Sequence, residues 1–128
     1  MAMRVQILFL SLVLVACAQG EERLRQAGSP YYVETAIPKE QVAHCVIKTL
    51  DETPWKPLTD YIPVTRSHTS PDGSTIELQS NFNQAGISWK AWLRNVPDGT
   101  AVEILVRLGE SQLLETFTLC TGQRPQPT

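Results

Sequence analysis

The tripeptide Pro-Asp-Gly occurs twice, and each time an alternating apolar segment follows it. Pro71-Asp72-Gly73-Ser74-Thr75-Ile76-Glu77-Leu78 is echoed 26 positions later by Pro97-Asp98-Gly99-Thr100-Ala101-Val102-Glu103-Ile104. Proline presets φ, aspartate bonds to nearby backbone and glycine takes positive φ, so the tripeptide turns a chain between extended segments. Ile76, Leu78, Ser80 and Phe82 share one face of the first following strand; Val102, Ile104, Val106 and Leu108 share one face of the second. Strands before the turns are expected over 62–69 and 87–95. Two hairpins in series give a four-stranded antiparallel meander. Duplication of a hairpin and repeated use of one turn chemistry explain the echo equally well.

Helices flank this meander. In PKEQVAHCVIKTL, residues 38–50, proline suits the first helical position and Glu40 suits the positive N-terminal end. Val42, Ala43, Val46, Ile47 and Leu50 form an apolar stripe bordered by Cys45, and Pro54 and Pro57 stop continuation. The segment GESQLLETFTLC reads two ways. As a helix capped by Ser111 it puts Leu113, Leu114, Phe117 and Cys120 on one stripe. As a strand it is favoured by Thr116 and Thr118, but Glu115 then joins the apolar face and Cys120 leaves it. The helix explains the direction of the cysteine and is preferred. The expected fold is therefore α+β, a four-stranded antiparallel meander with an N-terminal helix and a C-terminal helix, or alternatively a fifth strand, packed on one face.

The front end is an address. Arg4 is the only charge before the apolar run from Val5 to Ala16, which at roughly a dozen residues is shorter than the ~20 a bilayer-spanning helix needs. A basic start, a short apolar core and small residues after it make a secretory signal peptide. Leu14-Val15-Ala16-Cys17 then resembles a bacterial lipobox, in which the cysteine thiol takes a diacylglycerol before cleavage. The alternative is ordinary cleavage after Ala18, which leaves a soluble periplasmic or secreted chain. One acyl chain holds a protein marginally, whereas two or three anchor it stably. Ala18, rather than Asp, follows Cys17; by resemblance to the familiar sorting rule, this favours the outer membrane.

Cleavage at either place leaves Cys45 and Cys120 as the remaining thiols. An exported chain meets an oxidising compartment, where an even remainder pairs. A metal site is disfavoured, because His44 and Cys45 are adjacent and no metal-ligand spacing occurs. With Arg4 removed, ten basic residues face thirteen acidic ones, a net charge of −3 with histidine neutral. Nothing in that balance resembles a nucleic-acid binder.

Cys17, the Val42-Ala43-His44-Cys45-Val46 helix and Cys120 together resemble a recurring class of small proteobacterial lipoproteins of uncharacterised function. The resemblance covers most of the chain, and the lipobox is its specific motif. The implied organisation is a signal peptide over 1–16, a lipidated tether over 17–36, one α+β domain over 37–120 and a disordered tail over 121–128. Tyr31 and Tyr32 interrupt the polar tether and are expected to pack on the edge of the domain.

No catalytic residue is assigned. His68 with Asp60 or Asp72 and a serine can be drawn as a triad, but nothing in the sequence places them together, and Asp51 and Glu52 are neighbours rather than a pair across a cleft. A better candidate is the strand ISWKAWLRN. If helices cover Ile87, Trp89, Ala91 and Leu93, then Lys90, Trp92 and Arg94 stand on the open face beside Leu105 and Arg107. An aromatic flanked by arginine is the composition of a binding hot spot. The alternative is a solvated face with Trp92 partly covered by the stems of its neighbours. The expected function is a non-enzymatic protein-binding or scaffolding domain without cofactor, held to the outer membrane by its lipid and facing another envelope protein in the periplasm. An inhibitor of a periplasmic hydrolase, using the turns 70–74 and 97–100 as plugs, is the alternative, and a small hydrolase a remote one.

Overall fold

A computed structural model describes residues 24–52, 64–81, 87–107 and 109–128. Among the described residues six strands and two long helices follow a helical stretch at 24–27, in order: β1 (Ser29–Thr35), α1 (Lys39–Glu52), β2 (Val64–Thr69), β3 (Thr75–Asn81), β4 (Ile87–Val96), β5 (Gly99–Val106), α2 (Glu110–Thr121) and β6 (Gln126–Pro127). The strands form one sheet in the order β2-β3-β4-β5-β1-β6, with every neighbouring pair antiparallel. The fold is α+β, as the sequence predicts, but the sheet has six strands rather than four.

The meander β2-β3-β4-β5 is the predicted part. Its additions come from segments read as tether and tail. Ser29-Pro-Tyr-Tyr-Val-Glu-Thr35 is polar enough to pass for a linker, yet it pairs along its whole length with β5, from Ser29 opposite Val106 to Thr35 opposite Thr100. Val33 and Thr35 are buried, while Tyr32 and Glu34 point the other way, so half a strand's alternation lay among polar residues. The tail returns beside β1, where Tyr32 pairs with Gln126 and the Thr128 amide donates to the Pro30 carbonyl. The expected tether is therefore corrected over 24–36, as is the expected disordered tail over 121–128, while 17–23 lie outside the described residues. The signal peptide, Cys17, Phe82, Leu108 and the start of the expected 62–69 strand lie outside the described residues.

The two Pro-Asp-Gly turns differ. In the first, the Gly73 amide donates to the Ser70 carbonyl and Gly73 takes φ +73° inside the loop. In the second, Pro97 and Asp98 alone form the loop, and Gly99 already pairs with Val96 as a strand residue. There its φ is +151°, and a Cβ would sit 1.9 Å from the Thr35 carbonyl oxygen, so glycine lets the end of β1 pass.

The core lies between one sheet face and the helices. Val42, Val46 and Leu50 of α1 and Leu113, Phe117 and Cys120 of α2 bury against Leu78, Leu93, Val102 and Ile104. Trp89 meets Phe117 edge to face, with ring centres 6.3 Å apart. Cys45 and Cys120 are bridged, joining α1 to α2. The helical reading of the last segment holds in the structure. Its threonines fit a helix because Thr116 and Thr118 donate their hydroxyls to the carbonyls of Gln112 and Leu114. Ser111 is not the cap; Gly109 holds that position with no side-chain bond, and Gly122 closes the other end in the left-handed region.

Candidate functional site

The sheet face away from the helices carries the residues singled out in the strand ISWKAWLRN. Register puts Arg66, Gln79, Lys90 and Leu105 in one cross-strand row, and His68, Glu77, Trp92 and Glu103 in the next. Arg94 and Arg107 continue the same side. The sequence therefore grouped Lys90, Trp92, Arg94, Leu105 and Arg107 on a common face. It did not foresee that the centre of this face, around Trp92 and Leu105, is covered.

A helical stretch at 24–27 lies over it. Leu24, Trp92 and Leu105 form a second, separate apolar cluster, in which Leu24 is 1% and Trp92 5% exposed. The amide of Gly28 donates to the Leu24 carbonyl and ends the stretch. Arg25 and Lys90 each place a cation 5.1 Å from the Trp92 ring centre. Lys90 is also buried and lies 3.6 Å from Glu77, while exposed Arg94 lies 3.5 Å from Glu103. An open hot spot centred on Trp92 is thus corrected, because residues assigned to the tether supply a leucine that the indole can bury against.

A different surface stays open. Leu119 on α2 is 71% exposed, the largest exposure of any big apolar side chain among the described residues. It borders a hollow of about 600 Å³ whose wall includes Tyr31, Leu114, Thr118 and Arg124, with Glu110 and Glu115 contributing acid. The Tyr31 hydroxyl donates to a Glu110 carboxylate oxygen, and this bond holds the phenol proton so that the Tyr31 pKa rises above 10.0. Thr35 anchors the other end of β1 by donating its hydroxyl to the Thr121 carbonyl at 2.8 Å. β1 and α2 are therefore fastened together at both ends of α2. Sequence reasoning missed it because its walls come from the misread β1, the outer face of α2 and the chain beyond Gly122. One signal was available: in the helical reading Leu119 falls off the Leu113-Phe117-Cys120 stripe.

The turn 70–74 is exposed and tightly braced. Asp72 Oδ1 accepts from the Ser70 hydroxyl at 2.7 Å, the Ser74 amide at 3.0 Å and the Ser74 hydroxyl at 2.8 Å. These bonds, the Ser70 hydroxyl first, hold the Asp72 carboxyl down at about 2, against an ordinary 3.8. His68 is exposed on β2 opposite Glu77, His44 is exposed on α1, and Asp60 lies outside the described residues. Among the described residues no group of three or more His, Cys, Asp or Glu side chains is arranged to hold a metal ion.

One antiparallel sheet with two disulfide-linked helices on one face is the class of protein this fold defines. No protein-family model, curated protein or solved structure matches the chain.

Proposed function

We propose that this protein is an exported lipoprotein, acylated at Cys17 and held at the outer membrane, whose periplasmic domain binds another envelope protein without catalysis. The lipobox at 14–17 and the two remaining cysteines support the address. The Leu119 hollow supports the binding role and is the single observation that carries it. With Trp92 covered, the partner's place moves from the outer sheet to α2. Glu110 and Glu115 on its rim suit a partner segment that joins an apolar side chain to basic neighbours.

A photo-crosslinking side chain at position 119, with position 98 as the control, tests this in intact cells. A partner captured from 119 and not from 98 is expected. Leu119→Arg should abolish that partner's co-purification while shifting stability by no more than about 0.5 kcal/mol, since the side chain is exposed. No adduct above the control would remove the reading. Mass spectrometry of the mature protein checks acylation at Cys17 independently.

The braced Asp72 turn favours a second reading, inhibition of a hydrolase by insertion of a rigid loop. Loss of inhibition on Asp72→Ala, with Leu119→Arg silent, would select it over the first.

A further inference from the structure

The two broad sides of the molecule differ in charge. On the outer sheet face stand Arg25, Arg66, Lys90, Arg94 and Arg107. Three carboxylates accompany them: Glu77 beside Lys90, Glu103 beside Arg94, and Glu34, which accepts from the Tyr32 hydroxyl. Among the described residues this face is net positive, in a chain whose formal charge is −2. The helix side is the reverse. There Glu40, Asp51, Glu52, Glu110 and Glu115 outnumber Lys39, Lys48 and Arg124.

The described chain also begins on the positive side. Leu24 packs on that face, against Trp92 and Leu105. Seven residue steps separate it from Cys17, a span of at most about 25 Å even when fully extended. An acyl anchor at Cys17 therefore keeps the outer sheet face close to the bilayer that holds it.

We infer that the outer sheet face rests on the anionic phospholipid headgroups of the anchoring membrane, with Arg25, Arg66 and Arg94 turned to the phosphates. The inference rests on the acylation of Cys17 proposed above. Lys90 lies deeper and adds to the field rather than to the contact. Arginine close to an anionic surface strengthens association by about fivefold per residue, an effect that fades beyond a Debye length. In this pose the Leu119 hollow, on the helix side, looks away from the bilayer.

The test uses the full mature protein with one nitroxide, attached through His68→Cys on the outer face or Leu119→Cys on the helix side. Each form is reconstituted in vesicles of phosphatidylglycerol and phosphatidylethanolamine containing a nickel-chelating lipid. Broadening is expected to be several-fold stronger at position 68 than at 119. It should fall when phosphatidylcholine replaces phosphatidylglycerol, in high salt, and in the Arg66→Gln/Arg94→Gln background. Equal broadening at both positions, stronger broadening at 119, or indifference to lipid charge would overturn the pose. Flotation and intact mass of the same samples separate the two readings. Acylated, floating protein without a face bias removes the docking and leaves the anchor. Unacylated protein that still broadens selectively at 68 on phosphatidylglycerol removes the anchor and keeps the docking face. Unacylated protein with no such bias removes both.

Discussion

Asp72 shows how much of a turn one side chain can organise. Its folded pKa lies at about 2, below the ordinary 3.8, so its ionised form favours the folded state. That contribution is complete above 3.8 and is lost as the pH falls through about 2. Asp72→Ala should therefore lower the urea midpoint at neutral pH, and the gap to the parent should shrink below pH 3.8; a carboxyl titration followed by NMR checks the cause directly. The two glycines of the repeated tripeptide make a second contrast. Gly73 has positive φ but nothing within 4 Å of an added Cβ, so Gly73→Ala should cost about 1 kcal/mol for backbone strain alone. Gly99→Ala would drive a Cβ into the Thr35 carbonyl and Ala36. It should cost at least about 3 kcal/mol, measured by chemical denaturation, because backbone rather than a flexible side chain must yield.

The element that most changes the meaning of the molecule is the helical stretch at 24–27. Its grip on the sheet is a three-residue cluster, so it is expected to open more easily than the main core. Leu24→Ala should cost about 2 kcal/mol. It should also red-shift Trp92 emission and increase its quenching by acrylamide, whereas a stretch that merely lay nearby would leave both unchanged. The helices depend on a different tie. The Cys45–Cys120 bridge spans 75 positions, and its removal as a Cys45→Ala/Cys120→Ala pair should cost about 4 kcal/mol, read as a lower denaturation midpoint. α2 shows why the last element was ambiguous. Threonine disfavours a helix in general, but here each of Thr116, Thr118 and Thr121 returns its hydroxyl to the carbonyl four residues earlier. The apolar stripe then decides the outcome, since only the helix brings Cys120 to Cys45.

At the scale of the whole molecule, β1 and β6 extend the meander and move its boundaries. α1 carries the chain from β1, beside β5, across the core face to β2 at the opposite edge. The free edge of β1 is closed by the short β6, and Pro125 just before it is buried. Deletion of residues 124–128 should lower stability by about 1–2 kcal/mol and raise hydrogen exchange along β1, because its outer amides lose their cover. A tail without structural weight would change neither. Among the described residues the layout places the positive sheet face and Leu24 on one side, and the acidic helices with the Leu119 hollow on the other.

The sequence by itself determined the local rules: two turns marked by Pro-Asp-Gly, four strands around them, a helix with its apolar stripe, and a cysteine pair bordering two such stripes. Periodicity and turn stereochemistry act over a few residues, so they can be read without a fold. The first Pro-Asp-Gly turn, α1, and the choice of helix over strand for α2 were legible for that reason. Only the tertiary structure decided that Ser29–Thr35 is a strand, that the tail pairs with it, and that Leu24 closes the face around Trp92. Each depends on a partner far away in the chain: Val106, Tyr32 and Leu105. Polar strands and a single buried leucine gain their meaning from what lies opposite, and sequence neighbours carry no trace of that.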